Sequence, residues 1–262
     1  MQWILQNYED TSMLAETLTR QDVLHSFHKV IPFVGELLPE PVIEDPSKVV
    51  MFGSYSLRYY ARKHGLTPGV FELRPFYDEK VWDNLLLNGP HNSTVMTVRR
   101  LAGLKPGVGT HTMFIRPLQD SKEIAGAVMT YNDVVEMCQN VMALEEHELI
   151  RGSLGHDTEM ILSTVSDVRQ EWRLWVVEDR VVTYSLYKQG GKVMYLPYID
   201  DDALEFARHV IEVNPYYSPA YVLDVCRTDF GLHLLETNCI NAAGLYAADL
   251  NRLVGAIENM KV

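Results

Sequence analysis

Short apolar runs alternate with helical patterns through the first third of the chain. Gln2–Gln6 (QWILQ) reads as a strand, residues 13–20 as a helix, and Val49–Phe52 as a second strand. That strand enters the turn Gly53-Ser54-Tyr55-Ser56, followed by a helical pattern over Leu57–His64. Strands alternating with helices predict a parallel, open α/β unit. The turn before the second helix could hold an anion at a helix N-terminus, or be a plain strand-to-helix turn.

From about Val95 the texture changes. Residues 94–99 and 111–116 are strand-like around the loop Lys105-Pro106-Gly107-Val108-Gly109. Residues 132–144 carry a helical apolar pattern, with Asn132 or Asp133 as the expected cap. Three β-rich blocks follow at 159–165, 171–177 and 181–186, the last two joined by a turn at Glu178-Asp179. In 201–213, Ala203, Leu204, Ala207, Val210 and Ile211 fall on one helical face. A hairpin of 221–225 and 232–238 precedes a helix around 249–258. This second part reads as antiparallel sheet with helices, and the boundary is placed at residue 95, giving 1–95 and 96–262.

The hairpin carries the first candidate chemistry. Asp229-Phe230-Gly231 makes a three-residue loop with glycine at its left-handed position. With Phe230 at the centre, Asp224 lies opposite Glu236, and period two puts Asn238 on the same face. Facing carboxylates repel, so one is protonated, the face is solvated, or a cation lies between them. Flanking apolar residues (Val222, Leu223, Val225, Leu234, Leu235) argue against full solvation. Carboxylate and amide oxygens suit Mg²⁺; a buried ion pair with an arginine is the rival.

Composition narrows the partners. The 262 residues include 23 basic and 35 acidic ones, a net charge of −12. That argues against broad electrostatic binding to nucleic acid or an anionic membrane, while leaving room for a local phosphate pocket. Cys138, Cys226 and Cys239 cannot all pair and form no CxxC, which reads as reduced thiols in a cytoplasmic protein. MQWILQNYED lacks the basic region of a signal peptide, and no run reaches the roughly 18 apolar residues of a membrane span. His147-Glu148-Leu149-Ile150-Arg151 lacks the second histidine of a zinc-protease motif, and His25 and His28, at helical spacing, lack a third ligand.

Three cations could serve a nucleotide phosphate: Arg116 at a strand end before Pro117, Lys122 six residues on, and Arg173 inside an apolar strand. An arginine there must be paired or reach a cavity. Glu171 and Asp224 are the candidate partners.

Taken together, FIRPLQDSKEIAG, EWRLWVVEDRVV and YVLDVCRTDFGLHLLETNCINAAGLY resemble the ATP-grasp superfamily, most closely its small clade marked by two arginines and a lysine. The resemblance covers residues from about 95 onward. It implies an α/β (α+β) ATP-grasp fold with a Rossmann-like preceding domain. Its smaller lobe, about 110–165, and larger lobe, about 166–262, would clasp ATP between antiparallel sheets. By the same resemblance Arg116 and Lys122 hold nucleotide phosphates, and Arg173 is catalytic, contacting the transferred phosphate or an acyl phosphate. The strand at 160–165, with Ser163, lies against adenine, and Asp224, Glu236 and Asn238 hold one or two Mg²⁺ ions. Here Arg116 stands where a lysine is usual, and Thr237 where an apolar residue is typical.

The implied activity is ATP-dependent carboxylate–amine ligation through an acyl phosphate, releasing ADP and phosphate. Partners would be ATP and small-molecule carboxylate and amine substrates, peptides or proteins included, with an oligomer allowed. An ATP-grasp kinase and a non-catalytic nucleotide-binding module are the alternatives. Asp224→Ala or Glu236→Ala is expected to abolish ATP turnover and leave the fold intact.

Overall fold

β1 (Gln2–Gln6), α1 (Glu9–Arg20), β2 (His25–Ile31), β3 (Glu36–Leu38), β4 (Val49–Phe52), α2 (Leu57–His64) and β5 (Pro68–Gly69) build the first sheet, in the order β3-β2-β1-β4-β5. β1 pairs in parallel with β2 and β4, and β4 with β5; only β3 runs antiparallel to its neighbour. Parallel strands are covered on both faces, which is why Trp3, Ile4, Leu5, Val49, Val50 and Met51 form unbroken apolar runs without exposure. α1 covers one face, where Leu14 and Leu18 meet Trp3, Leu5 and Phe52. α2 covers the other, where Leu57 and Tyr60 meet Ile4, Val49 and Met51. Gly65, at φ +61°, ends α2 in the left-handed conformation that glycine adopts without penalty. The chain is seen in a computed structural model that describes residues 1–31, 35–105, 107, 111–118, 126–149 and 153–261.

β6 (Ser93–Thr97), α3 (Val98–Ala102), β7 (Thr112–Pro117), β8 (Ala127–Thr130), α4 (Tyr131–Met142) and β9 (Glu159–Ser163) build a second sheet, antiparallel in the order β6-β9-β7-β8. The strand expected over 94–99 stops at Thr97, whose hydroxyl accepts from the Arg100 amide and starts α3. α4 is capped in the same way by Thr130, which accepts from the Asp133 amide. The cap is thus Thr130 rather than Asn132 or Asp133. The helix starts one residue earlier than its apolar pattern, and Asp133 supplies the donor instead of the acceptor.

β10 (Gln170–Val177), β11 (Arg180–Gln189), β12 (Lys192–Leu196), α5 (Asp201–Glu212), β13 (Ala220–Thr228), β14 (Gly231–Asn238) and α6 (Leu250–Glu258) complete the described elements. Their sheet is antiparallel, in the order β12-β11-β10-β13-β14. Glu178 and Asp179 form the β10–β11 turn with φ of +46° and +57°, the pair of left-handed residues a tight hairpin requires. α5 packs on β11, β13 and β14. Ala203, Ala207, Val210 and Ile211 are buried as predicted, while Leu204 is half-exposed. α6 lies against α1, β10 and β11.

By packing, the chain forms two compact units: Met1–Arg74 with Val168–Val262, and Pro75–Asp167. Within the first, one apolar core joins Trp3, Leu5, Val50 and Phe52 of the parallel sheet to Trp175, Val177, Ala220 and Val222 of the antiparallel one. Among the described residues no helix is long and apolar enough to cross a membrane.

Candidate active site

Across β14, β13, β10 and β11 one register row reads Glu236, Asp224, Arg173, Ser185. Residues opposite each other in antiparallel strands share a face, so these four side chains emerge on one side of the sheet. Trp175 and Val222, on the same face, are part of the unit's apolar core. The same side of the sheet is therefore core at one end and polar at the other.

The hairpin that sets this row differs in detail from the three-residue loop expected. Thr228 pairs with Gly231, leaving only Asp229 and Phe230 in the turn. Continuing that register would set Glu236 opposite Leu223, with its side chain on the other face. A bulge at Leu235, between the pairs Val225–Leu234 and Asp224–Glu236, adds one residue and restores the expected pairing. Gly231 has φ +119°, outside the range of other residues, as the loop chemistry required.

Asp224 is fully buried, and Arg173 pairs with it through two hydrogen bonds, Nε to Oδ1 at 3.0 Å and Nη2 to Oδ2 at 2.8 Å. Burial opposes the guanidinium charge, but the Asp224 carboxylate more than offsets it, so the arginine's pKa is raised. The Arg173 guanidinium also stacks 4.6 Å from the ring centre of Tyr246 and 5.6 Å from that of Tyr187. Asn238 Nδ2 donates to Asp224 Oδ2 at 3.2 Å and to Glu236 Oε1 at 2.9 Å. The facing carboxylates are therefore compensated by a buried arginine on one side and a bridging amide on the other.

On the neighbouring row, Glu171 accepts from Tyr187 Oη and from Lys188 Nζ, each at 2.6 Å. An irregularity of the β10–β11 ladder lets two consecutive residues reach one carboxylate. Burial, then the carboxylates of Asp224 and Glu171, drive the Tyr187 pKa well up.

In the second unit, Arg116 pairs in register with Ile161, and Phe114 with Ser163. Alternation puts Arg116 and Ser163 on the face turned away from α3 and α4, which pack on Ile115 and Met160. The Arg116 guanidinium lies 5.0 Å from the centre of the Phe76 ring. Ser163 is buried, and its hydroxyl has no hydrogen-bond partner among the described residues. The strand expected over 159–165 ends at Ser163. Lys122 lies outside the described residues.

Other sequence signals resolve into structure. At the junction 53–56, the Ser54 amide donates to Gln6 Oε1 and the Gly53 amide to the Asn241 carbonyl, so both are taken by the protein itself. A Cβ on Gly53 would lie 2.4 Å from Gln6 Cβ, which accounts for the glycine. His25 and His28 sit in a strand, not at helical spacing, and His28 is tied to the Pro39 carbonyl.

Two contributors were not among the candidate site residues, although both lie within the quoted motif that ends in Gly244-Leu245-Tyr246. Buried Asn241 donates to the Met51 carbonyl at 2.6 Å and accepts from the Phe71 amide at 2.8 Å, fastening the end of the site hairpin to β4 and the segment after β5. Tyr246 holds φ +46° while its ring lies between Arg173 and Tyr195, with which it stacks at 4.7 Å. A lone asparagine and a tyrosine after a glycine look like loop residues until their distant partners are known.

Two carboxylates and an amide form a hard donor set, suited to Mg²⁺ rather than to a soft metal. Asn238 Nδ2 already bridges both carboxylates, and an asparagine amide can present its oxygen to the same place. Both Asp224 oxygens accept from Arg173, the buried ion pair that rivals a metal site, so a magnesium ion there would draw first on Glu236 and Asn238. Among the described residues no group of three or more His, Cys, Asp or Glu gathers as a metal cluster.

The fold is shared with solved ATP-grasp structures. D-cycloserine synthetase DcsG matches over 100% of both chains with 14% identity and a TM-score of 0.60. D-alanine–D-alanine ligase from Bacillus anthracis, complexed with ATP, matches over 98% of this chain and 95% of its own, with 7% identity and a TM-score of 0.57. The ATP-grasp ligase PsnB, complexed with a minimal precursor, matches over 99% of both chains with 11% identity and a TM-score of 0.53. No curated protein sequence matches significantly. The family model for the ATP-grasp domain, family 3 of the clade marked by two arginines and a lysine, matches residues 60–257, and the chain belongs to that family.

Proposed function

We propose that this protein is an ATP-dependent carboxylate–amine ligase that activates its acid as an acyl phosphate. The observation that carries this reading is the row Glu236–Asp224–Arg173 with Asn238 bridging its carboxylates, set in an ATP-grasp fold. The names of DcsG, D-alanine–D-alanine ligase and PsnB, all synthetases or ligases, support it.

In the proposed reaction a substrate carboxylate oxygen attacks the γ-phosphorus of ATP, the bond to the β–γ bridging oxygen breaks, and ADP leaves. The amine nitrogen then attacks the acyl carbon. The acyl carbon–oxygen bond breaks, phosphate departs with the electron pair, and the amine proton passes to solvent. Such a sequence relies on positioning and charge neutralisation more than on side-chain acids and bases. Mg²⁺, held by Glu236, Asn238 and Asp224, would neutralise phosphate charge. Arg116 and Lys122 would take up nucleotide phosphates, and Ser163 would offer its unpartnered hydroxyl to the nucleotide base. Arg173, held in plane by Asp224 and stacked on Tyr246, would present its remaining N–H groups to the transferred phosphate.

The resemblance of the sequence motifs to the clade marked by two arginines and a lysine keeps peptides and proteins in the proposed substrate class beside amino acids. The test is ADP release with Mg²⁺ and ATP against a screen of amino acids and short peptides, with products read by mass spectrometry. An amide product with ADP and phosphate supports the ligase. A stable phosphorylated product would make the protein a kinase, and an ATP-raised melting temperature without ADP would make it a binding module. Absence of nucleotide binding at millimolar ATP or ADP with Mg²⁺ would remove the proposal.

A further inference from the structure

Thr237 stands between Glu236 and Asn238 in β14, so its side chain points to the opposite face of the strand. It is 2% exposed, and a hydroxyl buried there costs free energy unless it is bonded. Its partner is Tyr217, whose Oη lies 3.0 Å from Thr237 Oγ1. Tyr217 also donates to the main-chain carbonyl of Arg74. A phenol has one hydrogen, and the carbonyl takes it. The Thr237 hydroxyl must then be the donor in the other bond. A directed chain of two hydrogen bonds therefore runs from Thr237 through Tyr217 to Arg74.

The phenol is held firmly. Its ring meets Tyr221 edge-on, with centres 5.2 Å apart and planes at 80°, and the Arg74 guanidinium lies 5.7 Å from its centre. Thr237 follows the bulge at Leu235 by two residues, where the extra residue interrupts the ladder and bends the strand. A shift of one residue there would turn Glu236 and Asn238 to the other face.

We propose that Tyr217 and Thr237 are positioning residues that set the register of Glu236 and Asn238 for a divalent cation, by tying the back of β14 to the Arg74 main chain. This rests on the ATP-dependent reading of the site. The test uses Mn²⁺ as the probe, titrated by electron paramagnetic resonance into the full chain with saturating ADP. Tyr217→Phe and Thr237→Val are expected to weaken Mn²⁺ binding about fivefold to tenfold, the worth of one hydrogen bond. Thr237→Ser, which keeps the hydroxyl, is expected to restore it. Variants with a lowered melting temperature but wild-type Mn²⁺ affinity would show a merely structural role and overturn the inference. Wild-type protein that binds no Mn²⁺ with ADP would instead remove the reading on which it rests.

Discussion

Arg173 and Asp224 face each other across β10 and β13 and are joined by two parallel hydrogen bonds of 3.0 and 2.8 Å, with the aspartate fully buried. Removing one member of such a pair strands the other charge out of water, whereas replacing both by apolar groups of similar size does not. Asp224→Ala is thus expected to cost about 3–5 kcal/mol of folding stability. The double variant Arg173→Met/Asp224→Leu is expected to cost less than that single one. Urea unfolding followed by circular dichroism would read both, and a single variant as stable as wild type would contradict the expectation. The buried pairing thus adds a stability cost to the Asp224 truncation that the sequence alone did not suggest.

Glu236 separates catalysis from folding more cleanly. It is half-buried, and the oxygen that accepts from Asn238 survives in glutamine. If Glu236 holds the cation as proposed, Glu236→Gln should keep the wild-type melting temperature to within a few degrees and lower ADP release by roughly 100-fold or more. Turnover at the wild-type rate would show that this carboxylate has no part in the chemistry.

The opposition of Asp224 and Glu236 was legible in the sequence because residue types at period two and a glycine-closed turn constrain a hairpin locally. The route to it was not. A two-residue turn plus a bulge at Leu235 reaches the same pairing as a three-residue loop, and a bulge depends on packing that no neighbouring residue announces. Arg173 illustrates the same limit: its need for a partner was readable, while the choice between Glu171 and Asp224 depended on strand order. Likewise the single core shared by Trp3, Phe52, Trp175 and Val222 joins segments more than a hundred residues apart. Local periodicity carries no information about such contacts.

Asn241 offers a test of one long-range fastening. Its side chain satisfies the Met51 carbonyl and the Phe71 amide, and a buried backbone group left unpaired costs about 1–3 kcal/mol. Asn241→Ala should lower stability by about 2–4 kcal/mol. Hydrogen exchange should report the loss first at the Phe71 amide. Unchanged protection there would show that the bond is not made in solution.

Cys226 ties stability to alkaline pH. Burial, then the Glu171 and Asp224 carboxylates, push its thiol from the ordinary 9.0 up to about 12. Below pH 9 the thiol keeps its proton whether the chain is folded or not. Between 9.0 and about 12 the unfolded chain releases that proton while the folded one retains it, so stability falls as pH rises through this window. The urea midpoint is expected to be lower at about pH 10.5 than at about pH 8, with a smaller drop in Cys226→Ala. All three cysteines are buried, so none should react with a thiol reagent at neutral pH until the protein is unfolded.

Ser163 is the residue for which stability and binding should move in opposite directions. Its hydroxyl is buried without a partner among the described residues, at the end of β9 and in register with Phe114. An unmet hydroxyl destabilises the ligand-free protein, so Ser163→Ala should leave stability unchanged or raise it by up to about 1 kcal/mol. If that hydroxyl meets the nucleotide base, the same substitution should weaken ATP binding by about fivefold, the worth of one hydrogen bond. Calorimetric titration of ATP with Mg²⁺, set beside thermal unfolding of the free protein, gives both quantities. A variant that loses stability and binds ATP as tightly as wild type would assign Ser163 to packing within the second unit and take it out of the nucleotide site.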